Sequence, residues 1–231
     1  MCAWKDGESV DKYGAASELA RNWTQLTTTT NVSFVAGRFG GNAIQWNGVN
    51  QLLQGLGGDF GTLFCGMAFL HVGFTGTICR IFEFTDNGTS QVSLQHLADG
   101  RLQVLRGNVT ILGTTTFVLP YAVWAYIEMK VVFSNTGSVE VRVNGTTVLL
   151  LASVDTTQSA NNSANMFAIG PTQTAGNQIR CDDLYVLDNT IVDAANPLND
   201  FLGDVRFKTQ LPSAAGVTTD FGVVGAASNF Y

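Results

Sequence analysis

Charge is scarce in this chain. Asp, Glu, Lys and Arg make up only 13% of the 231 residues, and 12 basic against 18 acidic side chains leave a formal net charge of −6. A groove that tracks nucleic-acid phosphates needs clustered Lys and Arg. Here the basic residues, Arg21, Arg80, Arg142 and Arg206 among them, are scattered, so no nucleic-acid partner is expected. Histidine occurs twice, as His71 and His96, and cysteine four times, as Cys2, Cys65, Cys79 and Cys181, with no C-x-x-C spacing and no histidine at zinc-finger distance. Cys65, Cys79 and Cys181 sit in apolar, strand-like runs, where a free thiol behaves as a small hydrophobe; a 65–79 disulfide between neighbouring strands is the alternative. The first ten residues carry Lys5, Asp6 and Glu8 and have no apolar core segment of a secretory signal. Synthesis and folding in a reducing cytoplasm are therefore expected. The longest dense apolar run, Leu63–Phe74, is shorter than the roughly 20 residues that cross a bilayer and is interrupted by Gly66, His71 and Gly73. It reads as a central strand, and no membrane partner is expected.

What the chain does have is alternation. In Trp124–Phe133, Ile127, Met129, Val131 and Phe133 fall on one face, and Tyr126, Glu128 and Lys130 on the other, the period of two that a half-buried strand requires. Asn135-Thr136-Gly137-Ser138 reverses the chain, and Val139, Val141 and Val143 return facing inward. Asn144-Gly145, a strong hairpin signal, sends Thr147–Leu151 back a third time. Thr77–Thr85, Gln91–Leu97 and the segment from Arg101 form a meander joined by Asn87-Gly88 and Asp99-Gly100, with Val92, Leu94 and His96 sharing a face. Ile111–Leu119, Met166–Gly170 and Gln178–Asp188 add strands, and Phe201–Leu211 is expected to add another. In Gln178–Asp188 strict alternation puts Ile179, Cys181, Asp183, Tyr185 and Leu187 together and leaves open which face is buried. Gln51–Gly61 reads as a glycine-rich loop, and Ala15–Trp23 as a surface turn of helical character. Many short strands with almost no helix imply an all-β fold, a two-sheet antiparallel sandwich. It is read as one domain over residues 1–231, with an extended tail from about 212.

Several motifs then add up to a resemblance. They are Asp11-Lys12-Tyr13, the GRFGG turn at 37–41, W-x-Y-x-E at Trp124–Glu128, GSVEVRVNG at Gly137–Gly145, I-x-x-DDLYVLD at Ile179–Asp188, and Phe201-Leu202-Gly203-Asp204. In this order and spacing the chain resembles the concanavalin A-like (laminin-G-like) jelly-roll virion structural proteins of tailed bacteriophages. The resemblance implies a jelly-roll sandwich made in the host cytoplasm and carried on the virion. The role it implies is a non-enzymatic one, capsid decoration or another accessory part. Its partners would be other virion proteins of a capsid or tail lattice, and a symmetric homo-oligomer such as a trimer is expected. The alternative is a carbohydrate-binding adhesin module for a host surface glycan.

Catalytic signatures are missing. Glucanases of this fold carry E-x-D-x-E on one strand, which aims the carboxylates into one cleft. Here Glu83 and Asp86 are three apart and Glu128 is followed by Met129-Lys130. Jelly-roll lyases use Gln-x-His, whereas Gln95 and His96 are adjacent. No catalytic, cofactor or metal residue is assigned. Each histidine is read as a satisfied, partly buried imidazole. A calcium reading of Asp182 and Asp183, with Asp86, Asn87, Asp155 and Asp188, is weakened because adjacent strand residues point oppositely; one of the pair is expected to accept backbone N–H bonds. Trp4, Trp23, Trp46 and Trp124 are read as core or subunit contacts rather than sugar platforms. The GRFGG glycines lack the lysine and helix of a phosphate loop and read as a bend.

Overall fold

The computed structural model describes residues 4–8, 10–26, 30–73, 78–172, 178–190 and 199–207, the side chains of 4–8 excepted. Its strands are β1 (Trp4–Glu8), β2 (Gln25–Leu26), β3 (Val32–Ala36), β4 (Asn42–Trp46), β5 (Leu52–Phe60), β6 (Thr62–Gly73), β7 (Cys79–Asp86), β8 (Thr89–His96), β9 (Arg101–Arg106), β10 (Thr110–Val118), β11 (Ala125–Val132), β12 (Gly137–Val143), β13 (Thr146–Val154), β14 (Ala164–Ile169) and β15 (Gln178–Asp188). Helix among the described residues is limited to two 3₁₀ segments, Val10–Lys12 and Ala16–Arg21. Sheet A runs β13-β12-β11-β6-β15-β4-β3, with β1 also paired to β15; sheet B runs β10-β9-β8-β7-β14-β5-β2. Neighbours in both sheets pair antiparallel. The all-β antiparallel sandwich read from the sequence is the architecture found.

Alternation decides the core. Leu63, Cys65, Met67 and Phe69 of β6, Ile127, Met129 and Val131 of β11, and the three valines of β12 meet Phe82 and Phe84 of β7, Val92 and Leu94 of β8, and Phe167 of β14. The hairpin turns behave as their residues require: Asn87-Gly88 and Asn144-Gly145 all take positive φ, at 46°, 85°, 50° and 77°. Cys65, Cys79 and Cys181 are free and buried. Cys65 lies in sheet A and Cys79 in sheet B, so the alternative disulfide is not formed. Burial pushes the Cys65 thiol well up and the Cys79 thiol up to about 12, which keeps both protonated. Cys2 lies outside the described residues.

Four expectations need correction. First, Leu52–Phe60 is strand β5, between β14 and β2, and not a loop. Ladder hydrogen bonds need only backbone, and Leu52 and Leu56 supply its core contacts despite the glycines. Second, strict alternation fails in β15. Asp182 pairs with Ala68 and Tyr185 with Gly66, so one extra residue is accommodated in a bulge, with Asp183 at φ 49°. The bulge resets the phase. Ile179 and Cys181 face the core before it and Leu184 and Val186 after it, while Tyr185 and Leu187 turn to the other side. Third, residues 201–207 form no strand. They cross the outer side of sheet A as a strap, where Phe201, Leu202, Val205 and Phe207 pack on a second apolar cluster of Phe64, Ala68, Tyr126, Tyr185 and Leu187. Fourth, β11 is therefore buried on both faces over part of its length: Tyr126 and Glu128, read as facing outward from a half-buried strand, are each 0% exposed. The expected tail from 212 lies outside the described residues.

Candidate functional site

Polar side chains concentrate in three places. The first gathers most of the motifs on which the family resemblance rests. Asp11 Oδ1 accepts from Asn42 N at 2.8 Å, beside the GRFGG turn. Asp182 Oδ2 accepts from Arg38 N at 3.1 Å, and Asp183 Oδ1 from Phe207 N at 2.8 Å. The Arg38 guanidinium forks onto both carboxylate oxygens of Asp204 and lies 5.7 Å from the Tyr126 ring centre. Tyr185 donates its hydroxyl to Glu128 Oε1, at 2.5 Å, and the same oxygen accepts from Gly203 N at 2.8 Å. Segments some 190 residues apart thus form one clamp that holds the strap to sheet A. Burial, reinforced by Asp183 and only partly offset by the Arg38 N–H, pushes the Asp182 carboxyl up to about 6. One aspartate of this pair was expected to accept backbone N–H groups; both do. Neither joins Asp86, which bonds Ser159 and Asn161, or Asp155, which bonds Arg106 and Thr157. Among the described residues no three His, Cys, Asp or Glu side chains converge as metal ligands would.

The second is the face of sheet B turned away from the core. Strand register sets Arg80 (β7), Gln95 (β8), Gln103 (β9) and Thr114 (β10) in one row across four strands. Gln95 Nε2 donates to Gln103 Oε1 at 2.7 Å, and Gln103 Nε2 donates to Thr114 Oγ1 at 2.9 Å. Beside this row Glu83 pairs with Arg80 at 3.2 Å and accepts from Gln51 at 3.0 Å and Asn108 at 2.8 Å. Burial raises the Glu83 carboxyl, but Arg80, Asn108 and Gln51 more than reverse it, and the group stays below its ordinary range and charged. Arg80 and Glu83 therefore cancel, and the row carries no net charge. Arg80, Glu83, Ser93 and Gln95 are buried, while Gln51, Gln103, Asn108 and Thr114 are half-buried. At the far end of β8, Gln91 orders the 155–163 loop. Its amide donates to Ser159 Oγ and to the carbonyls of Asn161 and Ser163, and its oxygen accepts from Gln158 N and Ser159 N. In the sequence Gln91, Ser93 and Gln95 are the uncharged polar half of an alternating strand, which by itself does not distinguish a binding face from a solvated one.

The third is a cleft of about 380 Å³ at one end of the sandwich, lined by His71, His96, Asp99, Gly100, Leu119 and Tyr121 among others. The two imidazole rings meet edge to face with centres 4.8 Å apart, and Tyr121 lies 5.6 Å from His71. His71 Nε2 donates to the Gly73 carbonyl at 3.1 Å. The sequence treated each histidine alone; β6 and β8, in different sheets, bring them together. Gln95 and His96, being adjacent, face opposite sides of sheet B, so the amide–imidazole pair of a Gln-x-His strand is not assembled here. Burial, with His71 as a second cause, lowers His96 to about 4 against the opposing pull of Asp99, and burial lowers His71 too.

That shift has a measurable sign. An unfolded histidine titrates near 6.5, so between about pH 6.5 and 4 the unfolded chain holds more protons than the folded one. His96 then contributes stability that is complete above that window and is lost as the pH falls through it. Asp182, raised in the folded state, works with the opposite sign over its own window. Comparison with His96→Phe isolates the imidazole: in urea unfolding, the stability difference between wild type and variant should shift against wild type by about 2 kcal/mol from pH 7 to 4.5. A difference that stays flat with pH would refute the neutral, buried state of His96.

The tryptophans sit where the sequence put them. Trp46 and Trp23 are in the core and Trp124 packs on the second cluster, while the side chain of Trp4 lies outside the described residues.

No protein-family model matches the chain, and no curated protein does. Solved structures do share its architecture. An endo-β-1,4-glucuronan lyase from the fungus Trichoderma reesei superposes with TM-score 0.61 at 15% identity, over 80% of this chain and 95% of the lyase. The alginate lyase Aly36B gives 0.57 at 11% identity, over 79% and 96%. The cellulose-induced protein Cip1 gives 0.54 at 14% identity, over 72% and 91%. The chain thus shares the jelly-roll sandwich fold of these structures. These neighbours overturn one expectation: the chain was read as not an enzyme because glucanase and lyase strand signatures are missing. The scaffold is one on which polysaccharide lyases are built, at identities too low for strand signatures to be carried across, so their absence does not exclude catalysis.

Proposed function

We propose that this chain is a carbohydrate-binding jelly roll that takes a neutral, hydroxyl-rich glycan along the outer face of β7 to β10. The carrying observation is the row Arg80, Gln95, Gln103 and Thr114, with Asn108 and Gln51 beside it. Amides and hydroxyls both donate and accept, which suits sugar hydroxyl and acetamido groups. The Arg80–Glu83 pair leaves no free positive charge for a uronate. Fold supports the reading too: a jelly roll of this kind, an Aly36B variant, has been solved with an alginate tetrasaccharide. A glycan array followed by titration tests it. Wild type should bind an uncharged glycan, and Gln103→Ala with Thr114→Ala should weaken binding about tenfold or more, from about 1 kcal/mol per lost hydrogen bond. No binding to any glycan, or binding untouched by the double substitution, would remove the proposal. Release of reducing ends or unsaturated products from the bound glycan would add a reaction to it.

A second reading concerns where the module works. We propose that it is carried on a tailed-phage virion, as a capsid decoration or other accessory component next to capsid or tail proteins. Its support is that most of the motifs behind the sequence resemblance, far apart in the chain, meet in the single clamp around Arg38, Glu128, Asp182, Asp183 and Asp204. A density map and peptide mass spectrometry of purified particles would decide it; particles lacking the chain would sink it.

A further inference from the structure

Among the described residues sheet A ends at β13 and sheet B at β10, and these two edges lie on the same side of the sandwich: a Cβ on Gly113 of β10 would sit 2.8 Å from Leu151 of β13. An edge strand offers a row of unpaired backbone donors and acceptors, and proteins ordinarily guard it with charge or proline. Neither guard is present. β10 reads TILGTTTFV and β13 reads TTVLLLASV. Exposed aliphatic side chains crowd the same rim: Val109, just before β10, is 78% exposed, Ile111 and Val118 of β10 are 60% and 53% exposed, and Leu150 is 65% exposed on β13. The nearest charges are already matched, with Arg142 Nε 2.8 Å from Glu140 Oε1 and Thr147 donating to the same oxygen at 2.7 Å.

From this edge we propose that the chain forms a two-fold dimer in which β13 pairs antiparallel with β13 of a second copy, centred on Leu150. Three features point to another copy as the occupant. An antiparallel strand edge is complementary to itself under a two-fold rotation, so a copy supplies both the missing backbone partners and a matching aliphatic surface. The run Leu149 to Ala152 is regular against Val141 to Ser138, between register shifts at Val141/Arg142 and at Gly137/Ser138. That leaves four residues in good strand geometry with Leu150 among them. β10 is more broken: it shifts register between Ile111 and Gly113 and again between Thr114 and Val118, which leaves no regular run longer than two residues, so it contributes side chains rather than a ladder. The surface elsewhere carries the net negative charge; this rim carries none. Pairing through β13 joins the two A sheets into one and leaves the face of β7 to β10 open on both copies. It also excludes a ring of three built on this edge, because a trimer would need β13 to meet a different strand of its neighbour.

Light scattering on the full chain across a concentration series, with analytical ultracentrifugation, tests this. A dimer is expected. Leu150 is exposed, so Leu150→Asp should fold as wild type does by circular dichroism. It should nevertheless raise the dimer dissociation constant by about a hundredfold or more, because each introduced carboxylate meets its own copy. Leu150→Lys should do the same. Mixing the two variants should restore a dimer, now heteromeric, which only self-pairing at this position would produce. A monomer at every concentration, a trimer, a dimer indifferent to Leu150→Asp, or no rescue on mixing would each overturn the proposal. None of these outcomes bears on glycan binding, which the array measures separately.

Discussion

Gly66→Ala should destabilise the protein by about 3 kcal/mol and loosen the strap over sheet A. Gly66 lies at the middle of a row across three strands, paired with Glu128 of β11 on one side and Tyr185 of β15 on the other. The Tyr185 ring lies down across the glycine to reach Glu128 on the far strand. A Cβ at residue 66 would meet Tyr185 Cε1 at 2.5 Å and Cζ at 2.8 Å. Tyr185 is 0% exposed, so the ring has no spare volume to move into. It must leave its place, which breaks its hydrogen bond to Glu128, worth about 1 kcal/mol, and adds an overpacking cost of about 1–3 kcal/mol. The measurement is urea denaturation with hydrogen exchange at the Leu202 and Gly203 amides. Leu202 N donates to the Tyr185 hydroxyl at 3.2 Å and Gly203 N to Glu128, so both should lose protection. A variant as stable as wild type would mean that the ring does not lie where the structure places it.

The other large effect is expected at Glu128. This carboxylate is 0% exposed and its Oε1 serves both Tyr185 and Gly203. Glu128→Ala leaves a buried hydroxyl and a backbone N–H without an acceptor, each costing about 1–3 kcal/mol, and opens a cavity beneath the strap. A loss of about 3–4 kcal/mol is expected. Glu128→Gln retains an acceptor at the same point and should cost clearly less. Because Gly66→Ala and Glu128→Ala free the same ring, the double variant should be less destabilised than the sum of the two, by about 1 kcal/mol or more. Additive losses would show that the row does not act as a unit. Glycan binding at the sheet B face should survive both substitutions wherever the variants stay folded, since the row on β7 to β10 shares no residue with this clamp.

The same region shows how much the sequence could reveal. The motifs W-x-Y-x-E, GRFGG, DDLYVLD and FLGD stood out as separate short patterns. Nothing in their local chemistry says that Tyr126, Arg38, Asp183 and Asp204 touch. Gly66 read as an interruption in an apolar run, and its use became visible only with Tyr185 beside it. On the B sheet, Gln95 and Gln103 are ordinary polar positions of alternating strands until register sets them opposite each other. His71 and His96 were both legible as strand residues, but their meeting depends on how the two sheets stack.

By itself, then, the sequence determined the class of structure: antiparallel strands with their reversals at Asn-Gly, and the valines and isoleucines that face inward. Those features follow from backbone preference and a period of two, which any short stretch of chain expresses alone. Only the tertiary structure decided which face of β15 is buried, that 201–207 is a strap rather than a strand, and which polar side chains share a surface. The reason is register. One extra residue near Asp183 reverses the direction of every side chain after it, and contacts between strands dozens of residues apart are fixed by that pairing and by no local pattern.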